Sequence, residues 1–345
     1  RRFNVAGNEA SEVSSTARTI ATKLPGLVLC ALIAILATYL ARFAPILGAP
    51  VIAILLGVVV RSFTPLPIAF APGIAYGART VLQAAIIVSG FGISLAAIWR
   101  TGLGTLPVTL GTIAIALGLA PFVGRLLRLD VKLRELVSIG TAICGASAIA
   151  AISSVIDPTE SEVSLAIATI FFYNVVAVLT FPLLGHAMGL TQAQFGVWAG
   201  TAINDTSSVV AAGFAYGHEA GTHATIVKLT RATLILPIVG AVGLMTARKR
   251  AGAGHGVPWG KIVPWFILWF LGAALVDSVG LIPGTWHGLI ADASTFLISV
   301  ALAAIGLQTA LAKLFSAGLR PLTLGFILWV AVAVSSLVLQ NLTRL

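Results

Sequence analysis

Nine stretches of this chain are apolar for long enough to cross a lipid bilayer as helices: 24–41, 44–60, 78–99, 103–123, 161–185, 221–246, 262–279, 288–312 and 322–343. A crossing helix needs about 20 such residues. The stretches are continuous rather than alternating, which excludes a membrane barrel. Charged residues make up 9% of the 345-residue chain and apolar ones 58%, where an ordinary soluble domain is roughly 25% charged. A water-soluble fold would leave much of that apolar surface exposed, so a soluble enzyme, a coiled coil, a disordered chain and a nucleic-acid binder are all excluded. The expected fold is an all-α polytopic membrane protein of about 9–11 transmembrane segments.

The formal charge of +10 comes from 21 basic and 11 acidic residues, and the basic ones fall in short loops. With the N-terminus in the cytoplasm, one side holds Arg1, Arg2, Arg18, Lys23, Arg61, Arg79, Arg125, Arg128, Lys132, Arg134, Arg248, Lys249, Arg250, Lys261, Lys313 and Arg320. The other side holds Arg42, Arg100 and Arg344. The positive-inside rule then places the N-terminus in the cytoplasm and the C-terminus outside. Residues 1–23 read as a polar cytoplasmic segment without a cleaved signal peptide, and Trp99, Trp259, Trp265 and Trp286 read as interface anchors. Cys30 and Cys144 have no partner at metal or disulfide spacing, and no metal site is expected.

Two further stretches, 133–156 and 193–216, are interrupted. Residues 140–151 read GTAICGASAIAA and residues 200–212 read GTAINDTSSVVAA. Each places small polar residues half-way along an apolar run, with about ten residues, or ~15 Å of helix, on either side. Such interruptions point to discontinuous helices meeting at the membrane midplane, as in secondary transporters. Ala168-Thr169-Ile170 matches Ala224-Thr225-Ile226, and Pro182 and Gly185 match Pro237 and Gly240, so a unit of broken stretch plus helix recurs about 60 residues on. A weaker repeat relates Gly90, Leu95, Ala96, Gly102, Leu103 and Leu106 to Gly306, Leu311, Ala312, Gly318, Leu319 and Leu322. If the broken stretches are re-entrant hairpins, there are nine spans and the repeat is inverted; if they cross, there are eleven. Hairpins entering from opposite faces are the favoured reading. The substrate-binding core is then 133–246, with 24–132 and 259–345 as scaffold.

Within 221–246, Thr222, Thr225, Lys228 and Arg231 follow one another by three and form one stripe. Charges at that depth are costly and usually functional. Two cations with hydroxyls nearby suit a small oxyanion. The alternatives are snorkelling, or an ion pair with Asp205. Backbone N–H groups at half-helix starts add donors. The candidate substrate-binding residues are therefore Lys228, Arg231, Thr225, Cys144, Gly145, Ala146, Ser147, Asn204, Thr206, Ser207 and Ser208. Asp205 and Asn174 are the candidate coupling or gating residues. Asp205 could carry H+ or Na+, or cap the following half-helix. Residues 157–162 read as a helix start, with Thr159 and Glu162 as a capping box.

The three motifs GTAICGASAIAA, AINDTSSVVAA and VKLTRATLILP together resemble the YeiH-type (UPF0324-like) family of bacterial inner-membrane proteins named as sulfate exporters, over about residues 25–343. That resemblance implies sulfate or a related sulfur oxyanion as substrate. The hairpin–helix–hairpin–helix order, with a basic residue on the last helix, is also similar to the glutamate-transporter core, an analogy that makes Arg231 an anion partner.

The expected function is secondary active transport of a small, sulfate-like oxyanion across the bacterial inner membrane by alternating access. An anion channel stands as the alternative, as does a carrier of an organic sulfonate, bicarbonate or carboxylate. The expected partners are a small anion and the lipid bilayer, with a homodimer open to such a chain and no nucleic acid. No cofactor is expected, H+ or Na+ being the candidate coupling ion. No nucleotide-binding loop of the GxxxxGK[ST] kind occurs, Asp205 has no partner acid in a matching motif and no His neighbours the Ser cluster, so an enzyme is not expected.

Overall fold

The computed structural model describes residues 3–43, 48–234, 238, 265–309 and 318–344. Among these residues the structure is all helix and turn, with no strand. Among the described residues six helices are long and apolar enough to cross a membrane, and Gly48–Phe63 and Phe266–Ser278 are apolar but shorter. Half of the expected span 221–246, residues 44–47, 262–264 and 310–312, and the loop cations Arg248, Lys249, Arg250, Lys261 and Lys313 lie outside the described residues, as does Trp259.

The chain divides into two compact units, residues 1–85 with 293–310, and residues 86–292 with 311–345. The first unit contains α1 (Phe3–Ala41) and α2 (Gly48–Phe63). It also holds most of α3 (Ile68–Gly90). The polar N-terminal residues and the first span form one 39-residue helix. Helix backbones approach closely in this unit. A Cβ on Gly57 would lie 2.5 Å from the Ala303 carbonyl oxygen, and one on Gly306 would lie 2.3 Å from that of Ile54. Small residues at such crossings replace a hydrophobic drive that lipid cannot supply.

The expected span 78–99 is corrected: the helical run covers Ile68–Gly90. Pro67 precedes its first turn and Pro72 sits in the first turn of its α-helical part. There proline's missing N–H costs nothing, so a segment that looked like loop is helix. A π-turn at Gly77–Val81 interrupts it. Ser94 then caps a separate helix, α4 (Leu95–Gly104), accepting from the Ala97 N–H at 3.2 Å.

The second unit continues with α5 (Leu106–Leu126), α6 (Val131–Ala142), α7 (Ala146–Ile156), α8 (Glu160–Ala187), α9 (Gln192–Ala202), α10 (Thr206–Tyr216) and α11 (His218–Thr233). Then follow α12 (Trp265–Ser278), α13 (His287–Gln308), which runs on into the first unit, and α14 (Leu319–Thr343). Both interrupted stretches fold back as helical hairpins. In the first, α6–α7, Lys132 at its start donates to the carbonyl of Asp157 at its end. In the second, α9–α10, the Tyr216 ring stacks on Phe195 at 3.9 Å and its hydroxyl donates to the Leu190 carbonyl. Gln192 closes the same mouth by accepting from the Ala220 N–H at 3.2 Å. Each half-helix has 11 or 12 residues, or about 16–18 Å, roughly half a bilayer.

The 28-residue α8 separates the two mouths. Its start is fixed by the expected capping box between Thr159 and Glu162. The first mouth lies at this end. At the other end His186 stacks on Tyr216 at 4.2 Å, so the second mouth lies there. The two hairpins therefore enter from opposite ends of α8.

Candidate functional site

Both hairpin tips reach the middle of α8. A Cβ on Gly145 would lie 3.3 Å from Ile170 and 3.6 Å from the Asn204 carbonyl oxygen. Asn174, one turn beyond Ile170, accepts from the backbone N–H groups of Asn204 and Asp205, both at 3.2 Å. These donors sit where the chain leaves helical geometry and would otherwise be buried without partners. Asn174 thus replaces the missing helical ladder at the second tip.

α11 packs along the second hairpin through small residues. A Cβ on Gly200 would meet Val227 at 2.7 Å, and one on Gly213 would meet the Gly221 Cα at 2.8 Å. That close approach carries Lys228 to the level of the tips. Its ammonium donates to the carbonyls of Ile143 and Ile203, each at 2.9 Å. Arg231 donates through Nε and Nη2 to the Ala142 carbonyl, at 2.9 and 2.7 Å, and through Nη2 to that of Thr141 at 3.2 Å. Both side chains are fully buried.

The carbonyls they bind are the unsatisfied C-terminal groups of α6 and α9, where the helix dipole places partial negative charge. Buried cations need such compensation. Among the described residues no carboxylate lies within ion-pair distance of either one. Neither snorkelling nor an ion pair with Asp205 describes them: they close the broken ends of two half-helices.

Asp205 has a different task. Its carboxylate accepts from the backbone N–H groups of Ser207 and Ser208, at 3.0 and 3.3 Å, and from the Ser207 hydroxyl. It is the N-cap of α10, whose positive end it neutralises. The start of α7 has no such group. Its N-cap is Gly145, at φ 67° and ψ −128°, a conformation open to glycine, and this residue has no side chain to cap the helix. Among the described residues the N–H groups of Ala146 and Ser147 have no hydrogen-bond acceptor, and both residues are exposed. Three buried polar atoms at the crossing are also unpartnered: Arg231 Nη1, Thr141 Oγ1 and Asn204 Oδ1.

Comparison with known proteins places the chain at this point. The family model described as conserved hypothetical protein 698 matches residues 25–325. A UPF0324 membrane protein of Streptococcus pyogenes serotype M3 is 44% identical over 328 residues, covering 92% of this chain and 96% of the relative. One from Streptococcus agalactiae serotype V is 39% identical over 328 residues, covering 92% and 97%. One from Fusobacterium nucleatum is 36% identical over 340 residues, covering 93% and 98%. The chain belongs to the UPF0324 family of membrane proteins.

In this UPF0324 protein the residues expected at the site gather around one crossing, with different parts to play. Lys228, Arg231, Asn174, Asn204 and Asp205 hold the tips together. Gly145, Ala146 and Ser147 form an open helix start. Cys144 is buried in the first break. Thr206 opens α10 behind the Asp205 cap. Thr225, buried one turn before Lys228, donates to the Gly221 carbonyl of its own helix at 2.7 Å.

The carbonyls of Thr141, Ala142, Ile143 and Ile203 were not expected as partners, because a main-chain acceptor has no side-chain signature. One signal was present: the tetrapeptide GTAI ends the first half-helix of both hairpins, at 140–143 and 200–203. Its two isoleucine carbonyls are the pair that Lys228 binds. In the same alignment Gly145 stands opposite Asp205.

Proposed function

We propose that this membrane protein is a secondary transporter of a small oxyanion, working by alternating access, and that the anion binds at the start of α7. The observation that carries the reading is the contrast between the two tips. The second hairpin brings its own carboxylate, Asp205, to the N-terminus of α10. The first has Gly145 at the equivalent place and leaves the Ala146 and Ser147 N–H groups open. A helix N-terminus with free N–H groups and no cap favours an anion. The buried, unpartnered Arg231 Nη1 belongs to the same crossing and adds a charge-assisted donor. The Ser147 hydroxyl supplies another.

The depth of the site supports a carrier. Each hairpin supplies only half a membrane of helix, so a site at the tips is about equally far from both faces. In this reading the two hairpin-plus-helix units are an inverted repeat, and rocking of the rest of the protein against them opens the site to each side in turn. Asp205 and Asn174 gate the site by setting the second tip. In this reading the N-terminus faces the cytoplasm, as the excess of basic residues on one side favours under the positive-inside rule, and the protein sits in a bacterial inner membrane. The sulfate-like class of substrate follows from the resemblance noted in the sequence, and no step of it requires an enzyme activity.

The test is ligand-dependent thermal stability of the purified protein with sulfate, sulfite, thiosulfate, taurine, bicarbonate and citrate. A ligand at 100 times its Kd stabilises by about 2.7 kcal/mol. One oxyanion is expected to raise the melting temperature of the wild type. Ala146→Asp places a carboxylate on the open helix start and is expected to abolish that shift while folding normally. Wild-type affinity retained by Ala146→Asp would overturn the site.

A further inference from the structure

The carbonyl ends of α6 and α9 converge at one point, and a cation of the protein's own occupies it. Half-helix C-termini and unwound carbonyls at a midplane crossing are where secondary carriers coordinate Na+. Here the Ile143 and Ile203 oxygens, one from each hairpin, face a common centre filled by Lys228 Nζ at 2.9 Å from both. Two further carbonyls, of Thr141 and Ala142, are taken by Arg231. Asn204, the residue after Ile203, has a buried Oδ1 without a hydrogen-bond partner. The oxygens around Lys228 Nζ are thus two main-chain carbonyls, hard ligands of the kind that hold a hard cation.

We propose that Lys228 is the resident cation of this carbonyl cradle, standing where a sodium-coupled carrier would hold its metal, so that the protein assembles its crossing and works without Na+ or K+. The tether explains the burial. An ammonium carried by α11 fixes both tips to one helix in every state in which it stays bound, whereas a free ion would leave with its gradient. It also explains why no carboxylate pairs with Lys228: the charge it balances is that of two helix ends. The inference deepens the transporter reading by removing Na+ as the coupling ion. Only its transport arm depends on that reading.

Two measurements test it. In the first, thermal unfolding of the full-length protein is followed in sodium, potassium, ethylammonium and choline chloride at constant chloride. The wild type is expected to be indifferent to the cation. Lys228→Ala is expected to melt lower in choline and to recover progressively with Na+, K+ or ethylammonium, which are small enough to enter the vacated cradle. A Lys228→Ala protein whose melting no cation changes overturns the proposal. In the second, wild-type protein in proteoliposomes is assayed for uptake of the anion that the stability panel identifies, with choline replacing Na+ and K+ on both sides. Full uptake supports the proposal, and uptake lost without Na+ overturns it even if Lys228→Ala cannot be purified. If no anion is ever bound or carried, the transporter reading fails while cation-dependent recovery of Lys228→Ala stands.

Discussion

At the residue scale, the crossing shows how main-chain polarity is managed when a helix stops inside a membrane. Ending α6 and α9 at mid-depth strands carbonyls, and starting α7 and α10 there strands N–H groups. Lys228 and Arg231 answer the first need. Asp205 and Asn174 answer the second at one tip only. Asn174→Ala removes the acceptor for the backbone N–H groups of Asn204 and Asp205. Unsatisfied buried groups cost about 1–3 kcal/mol each, so a loss of stability of that order is expected in the purified protein. Thermal or denaturant unfolding checks it, and an unchanged midpoint would show that the tip finds other acceptors.

At the element scale, the hairpins make a topological claim that labelling can test. Glu160 and Lys132 stand at one mouth and Met188 at the other end of α8. Glu160→Cys and Met188→Cys are expected to react with an impermeant thiol reagent from opposite faces of oriented vesicles. Glu160→Cys should label from the same face as a cysteine at Lys132. Labelling of the 132 and 160 positions from opposite faces would mean that α6–α7 crosses fully. The two native cysteines are buried and leave the background low.

Much of this level was legible beforehand. The small polar clusters at 140–151 and 200–212 marked both breaks, because each sets Gly, Ser, Thr or Asn half-way along an apolar run. The Thr159–Glu162 capping box marked the start of α8. The span at 68–90 was read ten residues late, since Pro72 and Gly73 suggest a loop to any reader who cannot see that proline sits in a first turn. The stripe of Lys228 and Arg231 was visible, but its partners were not. They are carbonyls, and carbonyls are the same in every residue. The identical GTAI endings were the one trace of them in the sequence.

At the scale of the whole molecule, α8 is the ruler. Its 28 residues span about 42 Å, while the hydrocarbon core of a bilayer is about 30 Å thick. A helix that long is accommodated by tilting or by locally thickening the lipid. Each hairpin mouth is fastened to one end of α8, and both tips are fastened to its middle. A change in tilt therefore moves the two mouths in opposite directions relative to the headgroups while the crossing stays near the centre. The protein should accordingly sense acyl-chain length. Reconstituted in a series of phosphatidylcholines from short to long chains, it is expected to show an optimum thickness for transport, with anion affinity in the same series nearly constant. Affinity that fell in step with transport would mean that lipid thickness reaches the crossing itself.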